Sequence, residues 1–157
     1  LIGVTYALLD FAEKFRMNLK HTVVIETGGM KGRREEITRE EVHKQLKDRL
    51  GLSTIHSEYG MTELLSQAYS TANGRFICPP WMHILIRAED DPFYVVGQKN
   101  VLGEWAAGAI NIIDLANLYS CAFIATDDVG KLYADGAFEV LGRVDNSDIR
   151  GGGLMFL

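Results

Sequence analysis

The chain has 157 residues, a mass of 17.5 kDa and a formal net charge of −5, with 16 basic and 21 acidic side chains. This length is enough for one domain with a hydrophobic core. The composition, with 47% hydrophobic and 24% charged residues, excludes a disordered polypeptide. The acidic balance argues against nucleic acid as a partner, because its phosphates bind basic surfaces. The basic cluster Lys31, Arg33 and Arg34 is followed by two glutamates, which is typical of a solvated loop.

The two cysteines, Cys78 and Cys121, lack the spacing of a metal or redox motif, so we expect a reduced, cytoplasmic protein. No apolar run approaches the ~20 residues of a membrane helix, so no transmembrane segment is expected. The chain starts with Leu1 and ends in an apolar segment after three glycines, from which we expect a fragment of a longer protein.

The first third of the chain has the pattern of an α/β unit. Apolar residues at helical spacing predict an amphipathic helix over residues 5–19, and a β-branched run predicts a buried strand at residues 22–26. Thr38 with a glutamate three residues later is a capping box, and it predicts a helix that ends before Gly51. Residues 53–57 predict the next strand.

The order strand, helix, strand favours two parallel strands joined by a right-handed crossover. Ligands of open α/β sheets bind outside the carboxyl ends of the strands. We therefore expect the chemistry in the two loops at residues 27–30 and 58–63.

The rest of the chain has the pattern of a β-rich region. Short apolar runs predict strands at residues 82–87, 109–114 and 121–125, and Asp135 with Gly136 predicts a hairpin turn. The predicted fold class is α/β, a strand-helix-strand unit with parallel pairing followed by a β-rich region.

The densest polar segment is residues 58–63, Glu-Tyr-Gly-Met-Thr-Glu. At a strand end, a tyrosine ring can cover a flat base, a glycine admits a ligand, a threonine hydroxyl can bond a phosphate oxygen and a glutamate can hold Mg²⁺. The alternative is a turn that opens the next helix, with Thr62 as its N-cap. These six residues alone leave both interpretations open.

A second polar cluster lies at residues 126–130, Thr-Asp-Asp-Val-Gly. A carboxylate there is suited to accept both hydroxyls of a ribose, and a following arginine is suited to pair with phosphate or with that ribose. The alternative is that residues 127–130 and residues 134–136 are two hairpin turns.

In order along the chain, these segments resemble the motifs of the adenylate-forming superfamily, which includes acyl-CoA synthetases, peptide-synthetase adenylation domains and luciferases. Residues 59–63 match its Tyr-Gly-x-Thr-Glu motif, and residues 126–128 resemble its Thr-Gly-Asp motif. Residues 142–145 and 149–151 resemble its hinge segment. Three motifs in the right order are far more specific than any one of them.

The flanking sequence at residues 56–70, 78–82 and 111–117 resembles the acyl-protein synthetase branch, which is related to phenylacetate-CoA ligases. The resemblance implies that residues 1–142 are a fragment of the adenylate-binding large lobe. It also implies that residues 143–157 are the hinge, at Asp145, and the start of a missing C-terminal lobe.

The resemblance further implies a role for each matching residue. Thr62 and Glu63 are expected to be catalytic, with Thr62 on the α-phosphate and Glu63 holding Mg²⁺. The residues expected to contact the nucleotide are Gly28 and Gly29 along the adenine, Tyr59 stacked on it, Gly60, Thr62, Asp128 at the ribose hydroxyls, and Arg143 at the ribose or phosphate.

The implied function is that of a ligase that uses ATP and Mg²⁺ to activate a fatty acid or other small carboxylic acid as an acyl-adenylate, and then transfers the acyl group to a protein thiol. Two alternatives stay open: an acyl-CoA ligase of the phenylacetate-CoA ligase type, and a non-catalytic nucleotide-binding module.

This sequence departs from the superfamily pattern in several places. Asp127 stands where the superfamily has a glycine. The sequence contains no Gly/Ser/Thr-rich phosphate loop, no catalytic lysine after Gly151 and no acyl-accepting cysteine after Cys121. We therefore expect the fragment alone to be inactive.

Overall fold

The computed structural model describes residues 1–30, 32–35, 37–88, 91 and 93–143. The hinge segment of the sequence analysis, including Asp145, lies outside these residues. The described part contains two α-helices, two short 3₁₀ helices and two sheets. The α-helices are α1 (Thr5–Lys14) and α2 (Arg39–Leu50). The first sheet contains, in spatial order, β1 (Ile2–Gly3), β2 (Ile25–Glu26), β3 (His56–Tyr59) and β4 (Ala68–Ser70). The second contains β5 (Met82–Arg87), β6 (Val95–Gly97), β7 (Trp105–Asp114), β8 (Phe123–Tyr133) and β9 (Phe138–Arg143), in the order β6-β5-β7-β8-β9.

The first sheet confirms the predicted strand-helix-strand unit. Strands β1, β2 and β3 are parallel, and β4 runs antiparallel to β3. Strand β2 has only the last two of the five residues predicted for it, and β3 begins three residues later than predicted, at His56. Strand β1 was not predicted, because two residues carry no periodicity. The carboxyl ends of β2 and β3 lie side by side, as the parallel pairing requires.

Helix α2 begins and ends at the residues that the sequence indicates. The Thr38 hydroxyl accepts a hydrogen bond from the Glu41 N–H at 3.2 Å, which satisfies one of the free donors of the first turn. Gly51 closes the helix in the left-handed conformation, with φ 64° and ψ 37°. The helix buries Val42, His43, Leu46 and Leu50.

Helix α1 is shorter than predicted, because it ends at Lys14 rather than continuing to residue 19. The backbone N–H groups of Met17 and Leu19 bond instead to the Arg49 and Leu50 carbonyls at the end of α2, at 3.2 and 2.7 Å. These bonds satisfy carbonyls that a helix end leaves free. Phe15, an apolar residue within the predicted helix, follows the helix end and is half exposed.

The second sheet is antiparallel throughout, which confirms the predicted β-rich region. Strand β5 has the predicted bounds, whereas β7 and β8 are longer than predicted. Residues 127–130 lie inside β8, so their interpretation as a hairpin turn is wrong. The turn at Asp135 and Gly136 is confirmed, and Gly136 has φ 87°. Neither α-helix of the described residues is long and apolar enough to cross a membrane.

Two hydrophobic clusters form the core. One joins α1 and α2 to residues that flank β2 and β3, among them Val24 and Ile55, and the other joins the second sheet to residues 59–76. Phe76 and Phe138 exchange two backbone hydrogen bonds, of 2.7 and 3.0 Å, and their rings are 5.4 Å apart. This contact packs the segment after β4 against β9, and it places the carboxyl ends of β2 and β3 opposite β8.

Candidate functional site

A cleft of about 570 Å³ lies between the carboxyl ends of β2 and β3 and the strands β8 and β9. The predicted site residues that line it are Gly28, Gly29, Tyr59, Gly60, Glu63, Asp128 and Arg143. Thr62 is placed elsewhere: it is exposed and lines a separate, smaller hollow, which it shares with Glu63 and Asn117. Residues 61–67, all of them described, form a turn and no helix, so the interpretation of Thr62 as a helix N-cap is wrong.

Tyr59 links the two halves of the cleft. Its hydroxyl donates a 2.7 Å hydrogen bond to Asp128 Oδ2, and its ring packs edge-on against Phe138 at 5.4 Å. Burial and the neighbouring Asp128 carboxylate both raise the pKa of Tyr59 above its usual value. Tyr59 therefore stays protonated and serves as a donor. The ring is 9% exposed, so most of its surface already contacts the core.

Asp128 lies within β8, next to an irregularity in the pairing of β8 with β9. Thr126 fixes the backbone there: its hydroxyl donates to the Ile110 carbonyl at 2.8 Å and accepts from the Asp128 N–H at 3.1 Å. Asp127, which stands where the resembled Thr-Gly-Asp motif has a glycine, does not have a positive φ, and its carboxylate lies 3.3 Å from Arg143 Nη2. The aspartate at this position is therefore accommodated without left-handed backbone.

The glycine loop after β2 requires its glycines. Gly28 and Gly29 have φ values of 76° and 86°, in the left-handed region that other residues rarely adopt. No atom lies within 4 Å of the position that a Gly28 Cβ would take, so the loop backbone faces open space. A flat ligand can approach the main chain there.

A buried polar cluster supports this loop, and its only sign in the sequence is one glutamate in an apolar strand. The carboxylate of Glu26 accepts hydrogen bonds from the Thr5 hydroxyl and from the Gly28 N–H, both at 2.8 Å. Burial raises the pKa of Glu26, but hydrogen bonds from His43, Ser57, Thr5 and Gly28 outweigh it and lower the pKa to about 2. Glu26 is therefore ionised and ties the loop to α1.

The same cluster contains a serine, a histidine and a glutamate, but it is not a nucleophilic relay. His43 Nε2 lies 3.2 Å from Ser57 Oγ and 3.7 Å from Glu26 Oε1, so a single ring nitrogen faces both partners. In a catalytic triad the base contacts the nucleophile and the acid through different nitrogens. Ser57 is also 1% exposed, which keeps substrates from it.

The cleft is strongly acidic. Its lining includes seven carboxylates and two arginines: Glu26, Glu40, Glu58, Glu63, Asp127, Asp128 and Glu139, with Arg39 and Arg143. Arg39, which the sequence analysis did not single out, lies over the Phe76 ring at 5.3 Å. A polyphosphate ligand in such a cleft needs a divalent cation to offset the carboxylates.

The residues present fit a Mg²⁺ ion that is held mainly by its ligand. Within the described ranges, no group of three or more His, Cys, Asp or Glu side chains is placed to hold a metal. Mg²⁺ is commonly bound by one or two carboxylates together with substrate phosphates. Glu63 is exposed and lines both the cleft and the smaller hollow, so it can serve as such a carboxylate.

No family model matches the sequence, and no curated protein matches it. Solved structures do match the fold. Coronafacic acid ligase from Pectobacterium brasiliense is 16% identical with a TM-score of 0.63, and the match covers 92% of this chain and 29% of that one. ATP-bound MatB from Rhodopseudomonas palustris is 17% identical with a TM-score of 0.61, over 93% of this chain and 31% of that one.

O-succinylbenzoate coenzyme A synthetase (MenE) from Bacillus subtilis, in complex with ATP and magnesium, is 16% identical with a TM-score of 0.58, over 95% of this chain and 34% of that one. The structures that this chain resembles thus include a ligase and a coenzyme A synthetase. The chain has the fold of their C-terminal part, which confirms the predicted fold class. It spans about a third of the length of these proteins or less.

Proposed function

We propose that the chain is part of an ATP-dependent ligase that activates a carboxylic acid as an acyl-adenylate, and that the cleft is its nucleotide site. The main support is the hydrogen bond of 2.7 Å from the Tyr59 hydroxyl to Asp128. It joins two motifs that are far apart in the chain, and the cleft around it is also lined by the glycine loop and by Glu63.

The nucleoside would lie between the glycine loop and β8. Gly28 and Gly29 are suited to lie along the adenine, beside Tyr59, which also lines the cleft. Asp128 accepts one hydrogen bond from Tyr59, and a carboxylate has further lone pairs for the ribose hydroxyls. Arg143, at the end of β9, would pair with the ribose or with a phosphate.

The phosphates would extend toward the turn that follows Tyr59. Gly60 admits them close to the backbone, and Glu63 would hold Mg²⁺, which neutralises charge on the phosphates. Thr62 lines the smaller hollow, which Glu63 also lines, so its side chain would have to turn toward the cleft to bind the α-phosphate. In the first step a carboxylate oxygen attacks the α-phosphorus, the bond to the β-phosphate oxygen breaks, and pyrophosphate leaves. In the second a thiol sulfur attacks the acyl carbon, and AMP leaves.

For the finer specificity, we propose a fatty acid as the substrate and a protein thiol as the acceptor, on the resemblance of residues 56–70 and 111–117 to acyl-protein synthetases. Coenzyme A is the rival acceptor. It is supported by the structural similarity to MenE, a coenzyme A synthetase. A non-catalytic nucleotide-binding module is the rival from a different class.

The nucleotide site is tested by calorimetric titration of this chain with AMP. We expect Asp128→Ala to weaken AMP binding about tenfold or more, because the ribose loses a charged acceptor. The same substitution at Asp48, exposed on α2, serves as the matched control and should change nothing. A wild-type chain that binds no AMP, or equal binding by Asp128→Ala, would contradict the site.

Catalysis is tested on the full-length protein that carries this chain. Acid-dependent exchange of labelled pyrophosphate into ATP is expected, with fatty acids as the best substrates. AMP binding without exchange would favour the non-catalytic module. Labelled acyl group recovered on protein supports the protein thiol, whereas acyl-coenzyme A supports the rival acceptor.

A further inference from the structure

The turn that follows the Tyr-Gly-Met-Thr-Glu motif is held by side chains of the other sheet. Asp114, the last residue of β7, is fully buried. Its Oδ2 accepts hydrogen bonds from the N–H groups of Leu65 and Ser66, both at 2.9 Å, and its Oδ1 accepts one from the Ser66 hydroxyl at 2.7 Å. One carboxylate thus fixes two successive backbone amides of the turn.

Asn117 holds the other end of the same turn. It lies in the short 3₁₀ helix Leu115–Asn117 that follows β7, and it is 6% exposed. Its side-chain amide donates to the Glu63 carbonyl at 2.8 Å and to the Cys121 carbonyl at 3.0 Å. The Ala116 N–H donates to Asp114 Oδ1 at 3.1 Å, so the two side chains belong to one network.

The network keeps Asp114 ionised in the interior. Burial raises the pKa of its carboxyl, but hydrogen bonds from Ser66, Ala116 and Leu65 outweigh burial and hold the pKa below its usual value. The Trp81 indole N–H also donates to the Ser66 hydroxyl, at 2.9 Å. A buried carboxylate is costly unless its acceptor sites are used, and here they are used on the turn itself.

The network contacts only one end of the cleft. It binds the backbone at Glu63, Leu65 and Ser66 but none of the groups at the Tyr59 and Asp128 end of the cleft. Asn117 also lines the smaller hollow together with Thr62 and Glu63. The network therefore fixes the backbone that carries Glu63, the residue that the proposed function places at Mg²⁺.

We propose that Asp114 and Asn117 are positioning residues for the phosphate and Mg²⁺ end of the site, and not for its nucleoside end. This inference rests on the proposed function. According to this proposal, the contacts between the two sheets hold Glu63 in place before the nucleotide binds. Preorganisation of this kind lowers the cost of ordering a binding group.

The test compares how the Asn117→Ala substitution changes the affinity of the chain for two ligands, MgATP and adenosine. Affinity for MgATP should fall about three- to tenfold, as expected for the lost hydrogen bond to the Glu63 carbonyl, and Glu63→Gln should also lower it. Affinity for adenosine should stay within about twofold. Asn100→Ala, at an exposed asparagine of another 3₁₀ helix, should change neither. Equal loss for both ligands indicates a merely structural role, and loss for neither also overturns the proposal.

Hydrogen exchange gives a second readout that needs no ligand. In Asp114→Asn the amides of Leu65 and Ser66 should exchange about tenfold faster or more, whereas the β3 amides should be unchanged. Unchanged exchange at Leu65 and Ser66 overturns the proposal. A wild-type chain that binds no MgATP would count against the proposed function, while the exchange result still decides whether this network holds the turn.

Discussion

The Tyr59 hydroxyl and the Asp128 carboxylate are joined by a 2.7 Å hydrogen bond across 69 residues of sequence. Tyr59 ends a strand of the first sheet, and Asp128 lies within a strand of the second. The bond therefore fixes how the two sheets meet at the cleft. Because Tyr59 stays protonated, it orients Asp128 without adding a charge beside it.

Removing only the Tyr59 hydroxyl should loosen the site and leave the core packed. In Tyr59→Phe we expect the free energy of unfolding to fall by about 1 kcal/mol and the AMP affinity to fall about three- to tenfold. Urea unfolding and calorimetric titration measure the two effects. Tyr94→Phe, at an exposed tyrosine, is the control. An unchanged AMP affinity in Tyr59→Phe would contradict the role of this bond.

The Glu26 carboxyl should make the chain sensitive to acid. Its pKa is lowered from 4.5 to about 2 in the folded chain, so its contribution is present above the unfolded pKa and is lost as the pH falls toward 2. A shift of this size corresponds to roughly 3 kcal/mol. Glu26→Gln should therefore lower the free energy of unfolding at pH ~7. Below pH ~4.5 the free energy of unfolding should fall less steeply with decreasing pH in this variant than in the wild type.

Urea unfolding of wild type and Glu26→Gln across this pH range checks the prediction. Glu104→Gln, at an exposed position, should keep the wild-type dependence on pH. Parallel curves for wild type and Glu26→Gln would show that other carboxyls cause the acid sensitivity.

The Thr38 cap should stabilise α2 and the hydrophobic cluster beneath it. In Thr38→Ala the first turn loses the acceptor of the Glu41 N–H, which costs about 1 kcal/mol. The melting temperature should fall by roughly 2–4 °C, as followed by circular dichroism. Thr71→Ala, at an exposed bend, should have little effect. A melting temperature equal to wild type would mean that the cap contributes nothing measurable.

Gly130 should not tolerate a side chain. A Cβ there would lie 2.3 Å from the Glu139 carbonyl oxygen and 2.6 Å from Ile110 Cδ1. Because the backbone of β9 would have to move, we expect Gly130→Ala to cost about 1–3 kcal/mol and also to weaken AMP binding through Asp128.

The matched variant is Gly97→Ala, where the added Cβ would meet only the Leu85 side chain, at 3.2 Å. It should cost less, and it should leave AMP binding unchanged. Equal unfolding free energies for the two variants would argue against the close approach of β9 to Gly130.

Several elements could be predicted because their interactions are local in sequence. Helix α2 is capped by Thr38 at its start and by Gly51 at its end, and both caps interact with residues of the adjacent helix turn. Strand β5 has the predicted bounds, with Met82, Ile84 and Ile86 on its buried face. The order of the motifs along the chain also led to the fold class that the structural similarities confirm.

Only the tertiary structure decided where α1 ends, since residues 17–19 bond to the end of α2. Residues 126–130 carry turn-forming residues, yet pairing with β7 and β9 keeps them extended. The sequence shows Glu26 and Asp114 only as acidic residues within predicted strands. It does not show that their carboxylates are buried and ionised, because the groups that donate hydrogen bonds to them come from distant segments. Local rules place caps and turns, whereas a buried charge is stabilised only by donors that the fold brings to it.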